Sequence, residues 1–189
     1  MNRNTAVRLG VSYAIVSIII FLLQALLDGG MAVKLLLGLA ALATVIAIPI
    51  IFIRKNRMDL GGYISFWAVF KLTFTGLLIG GVISTVFSLA YITYIDQDYP
   101  EKVLVQALES QKKFMQSTMS RDQMEEIMQE TEESIVDGFT PVGMAKTFMW
   151  YALFYLVLSL IFAAFMKKDP PPTHGSELTD SAAETNPTI

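Results

Sequence analysis

Three carboxylates lie close together in the sequence, at Asp96, Asp98 and Glu101. Carboxylate oxygens are ligands that Ca²⁺ and Mg²⁺ prefer, so this cluster raises the question of a cation site. The spacing is not that of an EF-hand loop, and no glycine stands at the bend. The same acids suit the start of a helix, where negative charge is favoured. The sequence therefore predicts no metal-binding residues.

Other residues that commonly carry catalysis are scarce. The chain has no cysteine, which excludes disulfides, thiolate nucleophiles and Cys-ligated metal sites. The single histidine, His174, lies in a polar tail, and there is neither a P-loop nor a G-x-G-x-x-G motif. We therefore expect no catalytic residue, no cofactor and no enzymatic activity.

Four stretches of the chain carry no charged residue, and they predict the helices that would position any functional site. Leu9–Leu27, Leu35–Ile53, Leu72–Ile95 and Thr147–Met166 contain no Asp, Glu, Lys or Arg. Each is about 20 residues long, the length that crosses a bilayer at about 1.5 Å per residue. The sequence thus predicts an all-α, polytopic membrane protein with a four-helix domain over residues 1–168. The predicted transmembrane helices cover about 7–27, 32–53, 66–95 and 143–166.

The segment between the third and fourth predicted helices, residues 96–142, holds eleven acidic and four basic residues. Apolar residues recur in it at three- and four-residue spacing, which predicts an amphipathic helical hairpin. Its apolar faces need cover, and its negative charge argues against a nucleic-acid partner. The tail over 169–189 is polar and rich in proline, and it is predicted to be disordered.

Positive charge indicates the orientation. Eight basic residues fall on one side of the predicted membrane, close to helix ends, and they are Arg3, Arg8, Arg54, Lys55, Arg57, Lys71, Lys167 and Lys168. Six fall on the other side, mostly spread through the long loop. The positive-inside rule then places both termini in the cytoplasm and the 96–142 loop outside it.

Two residue sets are candidates for contacts rather than catalysis. Gly76, Gly80, Ser84 and Ser88 recur every four residues, so small side chains share one face and allow a close helix approach. Packing within the bundle and packing against a second molecule both fit this pattern. The second predicted helix offers Ala40, Ala43, Thr44 and Ala47 as a matching face.

A basic cluster, Arg54, Lys55 and Arg57, follows the second predicted span. It is a candidate for binding anionic lipid headgroups, although the positive-inside rule alone also explains it.

The sequence resembles a bacterial family catalogued as domain-of-unknown-function family 4199. The resemblance rests on Gly61–Phe66, Ile83–Ser88, Tyr94–Tyr99, Met115–Met128 and Leu158–Lys168, and it spans about Asn4–Lys168. It implies a small four-helix protein of the inner membrane of Gram-negative bacteria, with the 96–142 loop in the periplasm. The family has no established activity, so the resemblance implies no catalytic or binding residue.

Three function classes follow. The first is an accessory, scaffold or homo-oligomeric membrane subunit that acts through helix packing and the acidic loop, with the lipid bilayer and a membrane protein as partners. The second is a small oligomeric transporter or channel, although no ionisable side chain lies near the middle of a predicted span, where such proteins usually carry one. The third, a membrane enzyme, would have to use Asp96 and Asp98.

Overall fold

Six helices make up almost all of the chain that the structure describes. The computed structural model describes residues 3–27, 31–115 and 121–169. The helices are α1 (Arg3–Leu26), α2 (Met31–Asp59), α3 (Phe66–Tyr94), α4 (Tyr99–Met115), α5 (Arg121–Gly138) and α6 (Pro141–Met166). No strand occurs within those ranges beyond one isolated bridge, so the all-α prediction is confirmed.

Four of these helices, α1, α2, α3 and α6, are long and apolar enough to cross a membrane. This confirms the number of apolar spans predicted from the uncharged stretches. α2 differs from the prediction, because it continues to Asp59 rather than ending near residue 53. Arginine and lysine are good helix formers, so the basic cluster ends the apolar stretch but not the helix.

α3 is the central helix of the bundle. It packs most extensively against α1 and next against α6, while α2 packs mainly on α1. Leu72 and Leu77 of α3 are fully buried together with Leu9 of α1 and Ile53 of α2. Apolar side chains cover most of the remaining surface of the four helices, as expected of helices in contact with lipid.

The turn between α2 and α3 is joined to the end of α6. Gly61 and Gly62 have φ angles of +78° and +94°, a region that only glycine adopts without strain. The Gly62 N–H donates to the Arg57 carbonyl at 2.8 Å and so closes the end of α2. Ile64 and Lys168 then exchange two backbone hydrogen bonds, each 2.9 Å long.

α4 and α5 form the helical segment between α3 and α6, and they contact each other. The Gln111 side-chain amide donates to the Thr131 hydroxyl at 3.0 Å between them. Thr140 then caps α6, since its hydroxyl oxygen accepts from the Gly143 N–H at 2.9 Å. The link between α4 and α5 at 116–120 lies outside the described residues. So does the predicted disordered tail, apart from Asp169.

Candidate functional site

The row of small residues on α3 meets α1. A β-carbon added at Gly80 would lie 2.5 Å from Tyr13 Cδ1 and 2.6 Å from the Gly10 carbonyl oxygen, and one at Gly76 would lie 2.5 Å from a methyl group of Leu9. The two helices therefore cross almost backbone to backbone. The partner of Gly76 and Gly80 is α1 and not α2, which corrects the match that the sequence suggested.

Ser84 and Ser88, one and two turns further along α3, lie at a cavity of about 830 Å³ instead. The cavity is bounded by α1, α2, α3 and α6, and Gly138 and Phe139 lie at its α5 end. The lining residues are Tyr13, Ser17, Ile20, Phe21, Gln24, Gly38, Ala41, Leu42, Val45, Gly81, Ser84, Thr85, Ser88, Gly138, Phe139, Met144, Thr147, Phe148, Trp150, Tyr151, Phe154 and Tyr155. The four-residue row thus serves two purposes, close packing in one half and a lined space in the other.

Uncharged polar groups from three helices converge on this cavity. α1 contributes Tyr13, Ser17 and Gln24, α3 contributes Ser84, Thr85 and Ser88, and α6 contributes Thr147, Tyr151 and Tyr155. None of the described lining residues is Asp, Glu, Lys, Arg or His. Hydroxyl and amide groups both donate and accept hydrogen bonds, so the lining suits a neutral polar group better than an ion.

A pair of tyrosines crosses the deep end of the cavity. The hydroxyl oxygens of Tyr13 and Tyr155 lie 2.9 Å apart, and their rings meet edge to face with centroids 6.1 Å apart. The pair fits because Gly81 has no side chain, since a β-carbon there would lie 3.0 Å from the Tyr155 ring. Above this pair, Ser84 Oγ is buried and has no hydrogen-bond partner within the described ranges.

The side of the cavity between α2 and α6 is open. Residues 38–43 of α2 are all exposed, so no neighbouring helix packs closely on this stretch. A β-carbon at Gly38 would meet nothing within 4 Å. α2 is held to the bundle further along, where Val45, Pro49 and Ile53 are buried. α2 and α6 face each other across the cavity without packing together.

Aromatic rings close the end of the bundle next to this cavity. Tyr99 at the start of α4 makes edge-to-face contacts with Phe21, Tyr91 and Phe139, at centroid distances of 5.6, 6.3 and 5.8 Å. Burial raises the pKa of the Tyr99 phenol above its ordinary value, and the nearby Tyr91 and Asp96 raise it further. The cluster joins α1, α3, α4 and the α5–α6 junction.

The acids at the α3–α4 junction do not form a cation site in the structure. Asp96 pairs instead with Lys102, whose ammonium nitrogen lies 2.9 and 3.0 Å from the two carboxylate oxygens. This hydrogen bond raises the pKa of Lys102. No group of three potential metal-ligating side chains comes together in the described part of the chain.

The basic cluster lies in the last two turns of α2. Arg54 and Lys55 are exposed and Arg57 is half-buried. None of the three forms an ion pair with another described residue. Because Ile64 pairs with Lys168, the cluster lies at the same end of the bundle as the basic end of α6.

Sequence reasoning did not find the cavity or the contribution of α1 to it. Gly10, Tyr13, Ser17 and Gln24 are separated by three, four and seven residues along α1, so the sequence places them on one face of that helix. What the sequence did not show is that α1, rather than α2, would lie against α3. The long-range pair Tyr13–Tyr155 depends on that arrangement.

A family model described as "Protein of unknown function (DUF4199)" matches residues 6–168. No curated protein and no solved structure matches the chain.

Proposed function

The chain belongs to the DUF4199 family of proteins of unknown function, and we propose that it acts without catalysis, as an accessory or scaffold subunit or as a homo-oligomer. It crosses the bacterial inner membrane four times in this proposal. The observation that carries it is the outer half of α2, whose residues 38–43 are exposed on every side. A second membrane helix, from another copy or another protein, packs there.

The chemistry of that segment supports helix association. Leu36, Ala40, Ala43 and Ala47 are exposed and follow one another at four- and three-residue spacing, so they share one face of α2. This face lies opposite the one that lines the cavity. Small side chains allow backbones to approach closely, and such packing is a main source of helix association in lipid.

Cross-linking in native membranes tests the proposal. The photoreactive residue benzoylphenylalanine placed at Ala43 should give a specific product, of twice the chain mass for a homo-oligomer and of another discrete mass for a partner. The same residue at Ala41, on the cavity face, is the control. Equal cross-linking at both positions, or none at either, would reject α2 as the association surface.

The proposed orientation places both termini in the cytoplasm and the 96–142 segment in the periplasm. It is supported by the basic residues at the ends of α2 and α6. Because the chain has no cysteine, single cysteines can report sidedness. Glu130→Cys in α5 should react with a membrane-impermeant maleimide in intact cells, whereas Met58→Cys should react only after the membrane is opened. The reverse pattern would contradict the orientation.

A transporter or channel is the second candidate, and the polar-lined cavity is the observation that favours it. Such a function needs the cavity to connect with both sides of the membrane during its cycle. Purified protein in liposomes that passes ions or small neutral solutes faster than an Ala41→Phe variant, which narrows the cavity from its open side, would support transport. Liposomes that leak equally with and without protein would remove this candidate.

A further inference from the structure

We infer that the cavity between α2 and α6 binds a neutral amphiphile, an aliphatic chain that ends in a hydroxyl or carbonyl group. Its volume, about 830 Å³, lies within the range of cavities that hold small molecules. The α2 residues that line it, Gly38 to Val45, span only about 10 Å at 1.5 Å per residue, which is short for a transmembrane helix to pack along. This inference does not depend on the proposed function, which uses the opposite face of α2.

The absence of charge in the lining selects a neutral head. A carboxylate or an ammonium group taken into this space would lose its hydration and find no opposite charge among the described lining residues. Lys34 and Lys102 line a second cavity with Asp98 and Glu101, which shares only Gln24 with this one. Lys146, next to the lining residue Thr147, is paired with Asp137. Fatty-acid anions and cationic amphiphiles are therefore disfavoured.

Hydrogen-bonding groups in the lining select a head with a hydroxyl or carbonyl. Gln24, Ser88 and Thr147 each lie near the end of their helix that adjoins α4 and α5. Deeper in the cavity, Ser84 Oγ is buried without a partner among the described residues. Unpaired polar groups are costly away from water, so a ligand that supplies donors or acceptors here is stabilised.

The open side gives such a molecule a path from the lipid. Gly38, Ala41 and Leu42 of α2 face Trp150 and Phe154 of α6 across the gap. These residues are apolar apart from the Trp150 indole N–H, whereas the hydroxyl and amide groups belong to α1, α3 and other positions of α6. A head bound near Ser88 would therefore leave its aliphatic chain lying between α2 and α6, in contact with the bilayer.

Trp150 lines the cavity and gives a direct signal for binding. The chain has two tryptophans. Trp67 precedes Gly81, the first lining residue of α3, by about 20 Å of helix at 1.5 Å per residue. In a Trp67→Phe variant, all tryptophan fluorescence comes from Trp150. The full chain is placed in phosphatidylcholine nanodiscs and titrated with 11-bromoundecanol, because bromine quenches tryptophan at short range. Its charged analogue, 11-bromoundecanoate, and the headless 1-bromoundecane are titrated in parallel.

We expect saturable quenching by 11-bromoundecanol and only gradual, unsaturable quenching by the other two compounds. Ala41→Phe fills the cavity from its open side and should raise the half-saturating concentration about tenfold or more. Ala90→Phe, at an exposed alanine of α3 outside the lining, should leave it unchanged. In the double variant Ser88→Ala and Thr147→Val, quenching by 11-bromoundecanol should become gradual and unsaturable, like quenching by 1-bromoundecane.

Unsaturable quenching by all three compounds would overturn the inference, as would equal titrations for Ala41→Phe and Ala90→Phe. Saturable quenching by 11-bromoundecanoate alone would assign the cavity to an anion and would also reject it. The complementary Trp150→Phe variant reports from Trp67, and saturable quenching there would show that the signal does not come from the cavity. Cross-linking at Ala43 is read separately, so failure of either proposal leaves the other intact.

Discussion

At the scale of single residues, two glycines determine how closely α1 and α3 approach. Gly10 and Gly80 face each other at the crossing, and an added β-carbon at either position would lie less than 3 Å from the opposite helix. Within lipid, helices gain little from burying apolar surface, so close van der Waals contact contributes much of their association. Gly76 and Gly80 of α3 allow a close approach because α1 also carries a glycine, Gly10, at the crossing.

Gly80→Ala should destabilise the bundle by about 1–3 kcal/mol, because the new methyl group forces the two backbones apart. Gly38→Ala is the matched control, since a methyl group there meets nothing and alanine favours the helix. Thermal unfolding followed by circular dichroism compares the two variants. A Gly80→Ala melting temperature equal to that of Gly38→Ala would contradict this packing.

The Tyr13–Tyr155 hydrogen bond joins α1 directly to α6. Tyr155→Phe should destabilise the protein by about 1–2 kcal/mol, because the buried Tyr13 hydroxyl loses its partner. Tyr13→Phe should do the same, and the double variant should cost less than the sum of the two. Tyr94→Phe, at an exposed tyrosine, should have no measurable effect. Additive losses in the double variant would show that the two hydroxyls do not interact.

At the scale of elements, aromatic rings join the start of α4 to the bundle. Tyr99 contacts rings from α1, α3 and the α5–α6 junction, so one side chain connects four parts of the chain. α5 packs more extensively on α4 than on α6. We therefore expect α4 and α5 to unfold locally more easily than the four long helices.

Tyr99→Ala should loosen α4 and α5 while leaving the long helices intact. We expect faster hydrogen exchange of α4 amides and faster tryptic cleavage at Lys112, with little change in the exchange of α3. Tyr94→Ala is the control, since Tyr94 is 82% exposed and lies outside the aromatic cluster. Unchanged protection of α4 in Tyr99→Ala would mean that other contacts hold this segment.

At the scale of the whole molecule, charge is divided between the two ends. The end formed by the α2–α3 turn and the end of α6 is basic, and the end formed by α4 and α5 is acidic. Arg54, Lys55 and Arg57 make no ion pair with described residues, so their charge is available to lipid phosphates.

Replacing Arg54, Lys55 and Arg57 by glutamine should reduce the binding of anionic lipid. Each basic residue near an anionic surface contributes about 1 kcal/mol, so the number of phosphatidylglycerol molecules retained in native mass spectrometry should fall. The double variant Lys102→Gln and Lys146→Gln, at the acidic end, should retain as many as the wild-type protein. Equal losses in both variants would remove the assignment of headgroup binding to this cluster.

The sequence by itself determined the four apolar helices, the helical character of the acidic segment and the family. These properties follow from local periodicity and from the length of the uncharged stretches, which do not depend on how the helices are arranged. The uncharged stretch predicts an end of α2 near residue 53, whereas the helix continues to Asp59, because charge marks the end of an apolar stretch but not of a helix.

Tertiary structure alone decided which helices meet. In the structure, Gly76 and Gly80 of α3 pack against α1. Ser84 and Ser88 lie instead at an open cavity, together with polar side chains of α1 and α6. Apolar helices in lipid have many alternative packings of similar energy, and a few close approaches at glycine select among them. The choice of neighbour, and with it the cavity, is therefore a property of the assembled bundle rather than of any one helix.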